Sequence, residues 1–125
     1  MGEGKDLRVS DLLGMQAELQ EKYKGIWEPV EPQRARLQLL WLVEELGEVV
    51  SIVKKRKVEG IMEDPAVRSH FLEEMSDVLM YFTDVLLCLG VTAQEFSAAY
   101  EGKHQRNMRR DFVGEHQHYL QEEQN

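Results

Sequence analysis

The sequence predicts an all-α protein, and three observations carry that reading. Large apolar residues recur at spacings of three and four, as one face of a helix requires. Helix-ending glycines and an Asp-Pro step, at Gly25, Gly60, Asp64-Pro65 and Gly90, divide the chain into four segments of helical length and a C-terminal remainder. No stretch alternates apolar and polar residues convincingly enough to make a strand. The expectation is a bundle of four to five helices.

The first segment starts near Ser10, a good N-cap, and spans about residues 10–24 with Leu12, Met15, Leu19 and Tyr23 on one face. Gly25 ends it. A joint containing Trp27, Pro29 and Pro32 follows, and Pro32 suits the first turn of the second segment, where its missing N–H costs nothing. That segment continues to about Val58, with Gly60 as its stop and the basic run at residues 54–57 as a last turn that complements the helix dipole. Leu39, Leu42, Leu46, Val49 and Val53 form its expected core seam. Gly47, costly inside a helix, suggests close approach of another backbone.

Asp64-Pro65 repeats the cap and first-turn signal and opens the third segment, which Gly90 closes. Its expected seam is Phe71, Met75, Val78, Phe82, Val85 and Leu89. Thr92 and Glu95 spell a capping box for the fourth segment, residues 93–110. Residues 111–125 carry few large apolar side chains and are expected to be a frayed or partner-docked tail. The domain reading is an extension at residues 1–9, one helical domain at 10–111 and the tail at 112–125.

Composition narrows the function. The chain has 125 residues, with 15 Lys+Arg against 23 Asp+Glu and a net charge of -8, which argues against binding the phosphate backbone of nucleic acid. Its one cysteine, Cys88, allows no intramolecular disulfide, suits a reducing, cytoplasmic setting and reads as a small buried apolar group. The longest uncharged run, residues 85–94, is about half of the roughly 20 apolar residues that cross a bilayer, so no membrane partner is expected.

Beside the seam of the second segment lies a stripe of Trp41, Glu45, Glu48 and Ile52, and beside that of the third lies Glu74, Asp77, Tyr81 and Cys88. If the two helices pack antiparallel, these acidic stripes meet. Two like charges about 4 Å apart repel by about 4 kcal/mol at an effective dielectric near 20, so the carboxylates need neutralising. Neither stripe holds a Lys or Arg within reach of both of its acids. A divalent cation does the work with oxygen ligands alone. That donor set suits Mg²⁺, Mn²⁺ or Ca²⁺ rather than zinc, and Mg²⁺ habitually bridges carboxylates to phosphates.

Glu44-Glu45-Leu-Gly-Glu48, followed by Glu74-Met-Ser-Asp77, resembles the EExxE…ExxD signature of the MazG-like all-α nucleoside triphosphate pyrophosphohydrolases. Lys103-His-Gln-Arg-Asn107-Met-Arg-Arg110 resembles the KxxxNxxR segment that closes the domain in many members. The resemblance covers roughly residues 10–111, and the paired motif is much more specific than either half. It implies hydrolysis of a nucleoside triphosphate to the monophosphate and pyrophosphate, with Mg²⁺, or Mn²⁺, held by Glu45, Glu48, Glu74 and Asp77. It gives Glu44 a second metal or the attacking water, and it implies a homodimer or homotetramer whose subunits share the nucleotide pocket.

Other residues complete the expected site. Lys103, Asn107 and Arg110 share one stripe of the fourth segment and are placed to grip phosphates, while Tyr81 is placed to donate a hydrogen bond. Trp27 is the candidate base-stacking platform, with packing against the first segment as its plainer role. Glu101 with His104 and Glu115 with His118 both spell ExxH, the half-motif of di-iron bundles, but they sit close together at the chain's end rather than on two well-separated helices. Two alternatives stay open: a non-catalytic nucleotide- and metal-sensing module, and a phosphoribosyl-ATP pyrophosphohydrolase.

Overall fold

A computed structural model describes residues 4–124; the first three residues of the expected extension, and Asn125 of the expected tail, lie outside the described residues. The fold is all-α, with five helices and no strand among the described residues. It divides into two units, the first ending at Ala93 and the second beginning at Gln94.

The first unit holds α1 (Val9–Lys22), a 3-10 turn (Pro32–Arg34), α2 (Ala35–Glu63) and α3 (Pro65–Cys88). Asp64 joins the two long helices. Its N–H donates to the Gly60 carbonyl at 2.9 Å and its carboxylate accepts from the Ala66 N–H at 3.0 Å, so one residue closes α2 and caps α3. The helices run antiparallel, with Trp41 facing Tyr81 and Glu45 facing Glu74 and Asp77. Gly25 (φ 89°) and Gly90 (φ 67°) turn the chain after α1 and α3 in the left-handed region, which a side chain disfavours.

Several expectations are corrected. The cap of α1 is Arg8, whose N–H donates to the Asp11 carboxylate at 2.9 Å, so Ser10 lies within the helix. Gly60 does not stop α2. The helix breaks instead at Lys57 (φ 60°, ψ 170°), then resumes to Glu63, and burial of Ile61 in that last stretch accounts for the continuation. The basic run at residues 54–57 thus closes the unbroken part of α2 rather than its final turn.

The expected seams hold in part, with Leu42 and Val49 on α2 and Phe71, Val78, Phe82 and Val85 on α3 buried or half-buried. On α2 the buried positions include Ala35, Gln38, Val49 and Ile52, while Leu39, Leu46 and Val53 stay exposed. On α3, Thr83, Asp84 and Cys88 are buried, while Met75 and Leu89 are exposed. Trp41, Glu45 and Ile52 on α2 and Glu74, Asp77, Tyr81 and Cys88 on α3 are buried or half-buried, while Glu48 of the same α2 stripe is exposed. Gly47 meets no neighbour within 4 Å of where a Cβ would stand, so no close approach occurs within the chain.

The second unit holds most of α4 (Ala93–Arg109) and all of α5 (Phe112–Gln124). Residues 112–124 are helical rather than frayed. Asp111 starts α5, its carboxylate accepting from the Gly114 N–H at 2.8 Å and its carbonyl from the Glu115 N–H at 2.9 Å. No single helix among the described residues is long and apolar enough to cross a membrane.

Candidate functional site

Glu45 on α2 meets Glu74 and Asp77 on α3, with carboxylate oxygens from all three within 4.8 Å of one another. A three-residue step puts Glu74 and Asp77 on one face of α3, and the antiparallel pairing sets Glu45 opposite them. Among the described residues this is the only convergence of three carboxylate, histidine or cysteine ligand atoms. All three residues are half-buried.

Their electrostatics show what such a convergence costs. Burial, then a hydrogen bond that the protonated Glu45 donates to Glu74 and the charges of Asp77, Glu74 and Glu48, raise the Glu45 carboxyl above its ordinary value. Burial and the charges of Glu74 and Glu73 push Asp77 up in the same way. The one nearby base is His70, whose Nε2 lies 3.5 Å from Glu74 Oε1 and which forms an ion pair only when protonated. The donor set is all carboxylate, the convergence is tight, and among the described residues no Lys or Arg forms an ion pair with it. That combination fits a hard divalent cation.

Glu48 and Glu44 do not join the trio. Glu48, one turn along α2 from Glu45, is exposed and stays outside the convergence. Glu44, one residue before Glu45, is exposed as well. Both remain close enough to act through their charge, Glu48 on Glu45 and Glu44 on Tyr81.

A cavity of about 560 Å³ adjoins the trio and shares Asp77 with it. Its walls include Trp27, Trp41 and Tyr81. Trp27 packs against the first segment, its ring stacked on Tyr23 with centroids 4.5 Å apart and planes 20° apart, and it also lines the cavity. Burial, followed by the charges of Glu45, Asp77, Asp84 and Glu44, raises the Tyr81 phenol and keeps it a hydrogen-bond donor.

Four side chains in this cavity were not anticipated. Asp84 is only 3% exposed, and Gln16 Nε2 and Gln20 Nε2 of α1 donate to its Oδ1 at 3.0 and 2.9 Å. Gln38 on α2 is equally buried, and its Oε1 has no donor. A signal for Asp84 existed: it continues the stripe of Glu74, Asp77, Tyr81 and Cys88 at the same three-four spacing. Gln16 and Gln20, four apart on α1, form a matching pair.

The remaining candidates lie in the second unit. Lys103 and Asn107 are exposed on α4. Arg110 follows it and holds Glu115 through two bonds, Nη2 to Oε2 at 2.7 Å and Nε to Oε1 at 3.3 Å. His118 pairs with Glu122 at 2.9 Å, so neither ExxH pair builds a metal cluster among the described residues. Cys88 is a free, buried thiol. The chain has no significant match among models of known families, characterised proteins or solved structures.

Proposed function

We propose that the chain is a MazG-like, Mg²⁺-dependent nucleoside triphosphate pyrophosphohydrolase, with Mn²⁺ as an alternative ion, that cleaves between the α and β phosphates. One observation carries this reading: Asp77 belongs both to an all-carboxylate trio and to an aromatic-walled cavity of the size small ligands occupy. A triphosphate with its base in the cavity has its charged end beside the acids. A bound Mg²⁺ supplies neutralising charge and a water of lowered pKa. Glu45, Glu74 and Asp77 are the residues that would hold it. Glu44, exposed beside Glu45, is placed to accept a proton from water. Tyr81 donates a hydrogen bond to the substrate, and Trp27 and Trp41 offer ring faces to the base.

The same reading takes a second copy of the chain as partner. Leu39, Val43, Leu46, Val50 and Val53 follow the four-three-four-three spacing of a packing seam, yet all five are exposed, Val43 by 62% and Val50 by 59%. Monomers rarely leave a contiguous apolar patch of more than a few hundred Å² in water. Gly47 lies between Val43 and Val50 and meets nothing within the chain, which leaves room for another helix backbone.

The test is product identity. Purified chain, Mg²⁺ and a panel of triphosphates should release pyrophosphate, and Glu45→Gln should stop the release while helicity stays unchanged. Orthophosphate release would reject the bond assignment. Binding without turnover would leave a sensing module, and turnover of phosphoribosyl-ATP alone would reassign the substrate.

A further inference from the structure

Gln16, Gln20, Gln38 and Asp84 together line part of the cavity. Gln16 and Gln20 both spend an N–H on Asp84 Oδ1, which leaves Oδ2 for a ligand. Gln38 lines the same cavity, and its Oε1 has no donor among the described residues although the side chain is 97% buried. A buried acceptor without a donor costs free energy, so Gln38 Oε1 calls for an N–H group, and Asp84 Oδ2 can accept a second. Trp27 and Trp41, on the same cavity, present flat apolar faces that suit a planar ring.

We propose that this cavity takes a nucleobase bearing an exocyclic amino group, of the cytosine, adenine or guanine kind, and discriminates against the counterpart in which a carbonyl replaces the amine. An exocyclic amine carries two N–H bonds, one for Gln38 Oε1 and one for Asp84 Oδ2. A carbonyl oxygen in its place would face a carboxylate oxygen and leave Gln38 unpaired, and sites that hydrogen-bond a substrate N–H reject analogues lacking it strongly. The inference rests on the nucleotide reading above for the triphosphate, but the base edge can be tested apart from hydrolysis.

The chain has two tryptophans, and both line the cavity, so intrinsic fluorescence reports its occupancy. Metal-free protein is titrated with cytidine against uridine monophosphate and adenosine against inosine monophosphate, and the matching triphosphates are assayed for pyrophosphate with Mg²⁺. The amino member of each pair should bind at least about tenfold more tightly. Asp84→Asn gives a sharper readout. If the two glutamines keep the side-chain oxygen, the atom facing the cavity changes from acceptor to donor, and the preference should invert toward uridine and inosine. Gln38→Met should narrow the difference without inverting it. Equal binding within each pair, preference for the carbonyl member, or no fluorescence response to any monophosphate overturns the inference. Amino preference in binding with no pyrophosphate from any triphosphate leaves it standing and removes the hydrolysis reading. Pyrophosphate release without preference does the reverse.

Discussion

Trp41 of α2 and Tyr81 of α3 meet with ring centroids 5.9 Å apart and planes tilted by 57°. One turn along each helix from this pair stand Glu45 and Asp77, so the aromatic contact fixes the register at which the acids converge. It also forms part of the cavity wall. A hydrophobic contact thus pins two carboxylates against their own repulsion.

Trp41→Ala removes that pin. The variant should lose about 2 kcal/mol of stability in chemical denaturation, less than a fully buried aromatic because Trp41 is half-buried. It should also bind divalent cations more weakly. Trp41→Phe should recover most of both losses. Weakened stability with unchanged cation affinity would show that the pair does not position the acids.

Lys57 sits at φ 60° and ψ 170°, a region nearly exclusive to glycine. Lys57→Gly should therefore stabilise the fold, by about 1 kcal/mol after the extra entropy of glycine is counted, read as a rise in thermal midpoint. A drop in midpoint would indicate that the break is not strained.

Burial holds the Asp84 carboxyl above its ordinary value, against the lowering pull of the Gln20 and Gln16 amides. A carboxyl raised in the folded state contributes stability only below its unfolded pKa, near 4, and that contribution is lost as pH rises through the folded value. Asp84→Asn cannot ionise. Its thermal midpoint relative to the unsubstituted protein should therefore climb as pH rises from about 4 to 7.5. A difference that stays flat across that window would contradict the assignment of a costly buried charge.

Val50→Glu places a charge in the centre of the exposed seam. The unsubstituted chain should sediment as a dimer or larger at micromolar concentration, and the variant as a monomer with its helicity retained. A monomeric unsubstituted chain would remove the second copy from the account.

Much of the fold was legible because its signals are local. Asp64-Pro65, Gly25 and Gly90 marked real boundaries, and helical spacing set Glu45 opposite Glu74 and Asp77, while Glu48 of the same stripe stays exposed and outside the trio. The inward face was harder to read. Its key contacts join Gln16 and Gln20 to Asp84 across more than sixty residues, and polar side chains at helical spacing look like a solvated face until their partners are known. Of the seam expected on α2, Val49 is buried and Leu42 half-buried, whereas Leu39, Leu46 and Val53 lie on the apolar face that stays exposed. The break at Lys57 has no glycine or proline to announce it, and α5 begins at Asp111 in a stretch with too few apolar residues for periodicity to show.

The central claim is that Glu45, Glu74 and Asp77 form one divalent-cation site. Calorimetric titration of the metal-free chain with Mn²⁺ and with Mg²⁺ tests it most directly. Saturable binding that Glu45→Gln and Asp77→Asn each abolish, with helicity intact, is the predicted result. Absence of binding, or binding that survives both substitutions, would contradict it.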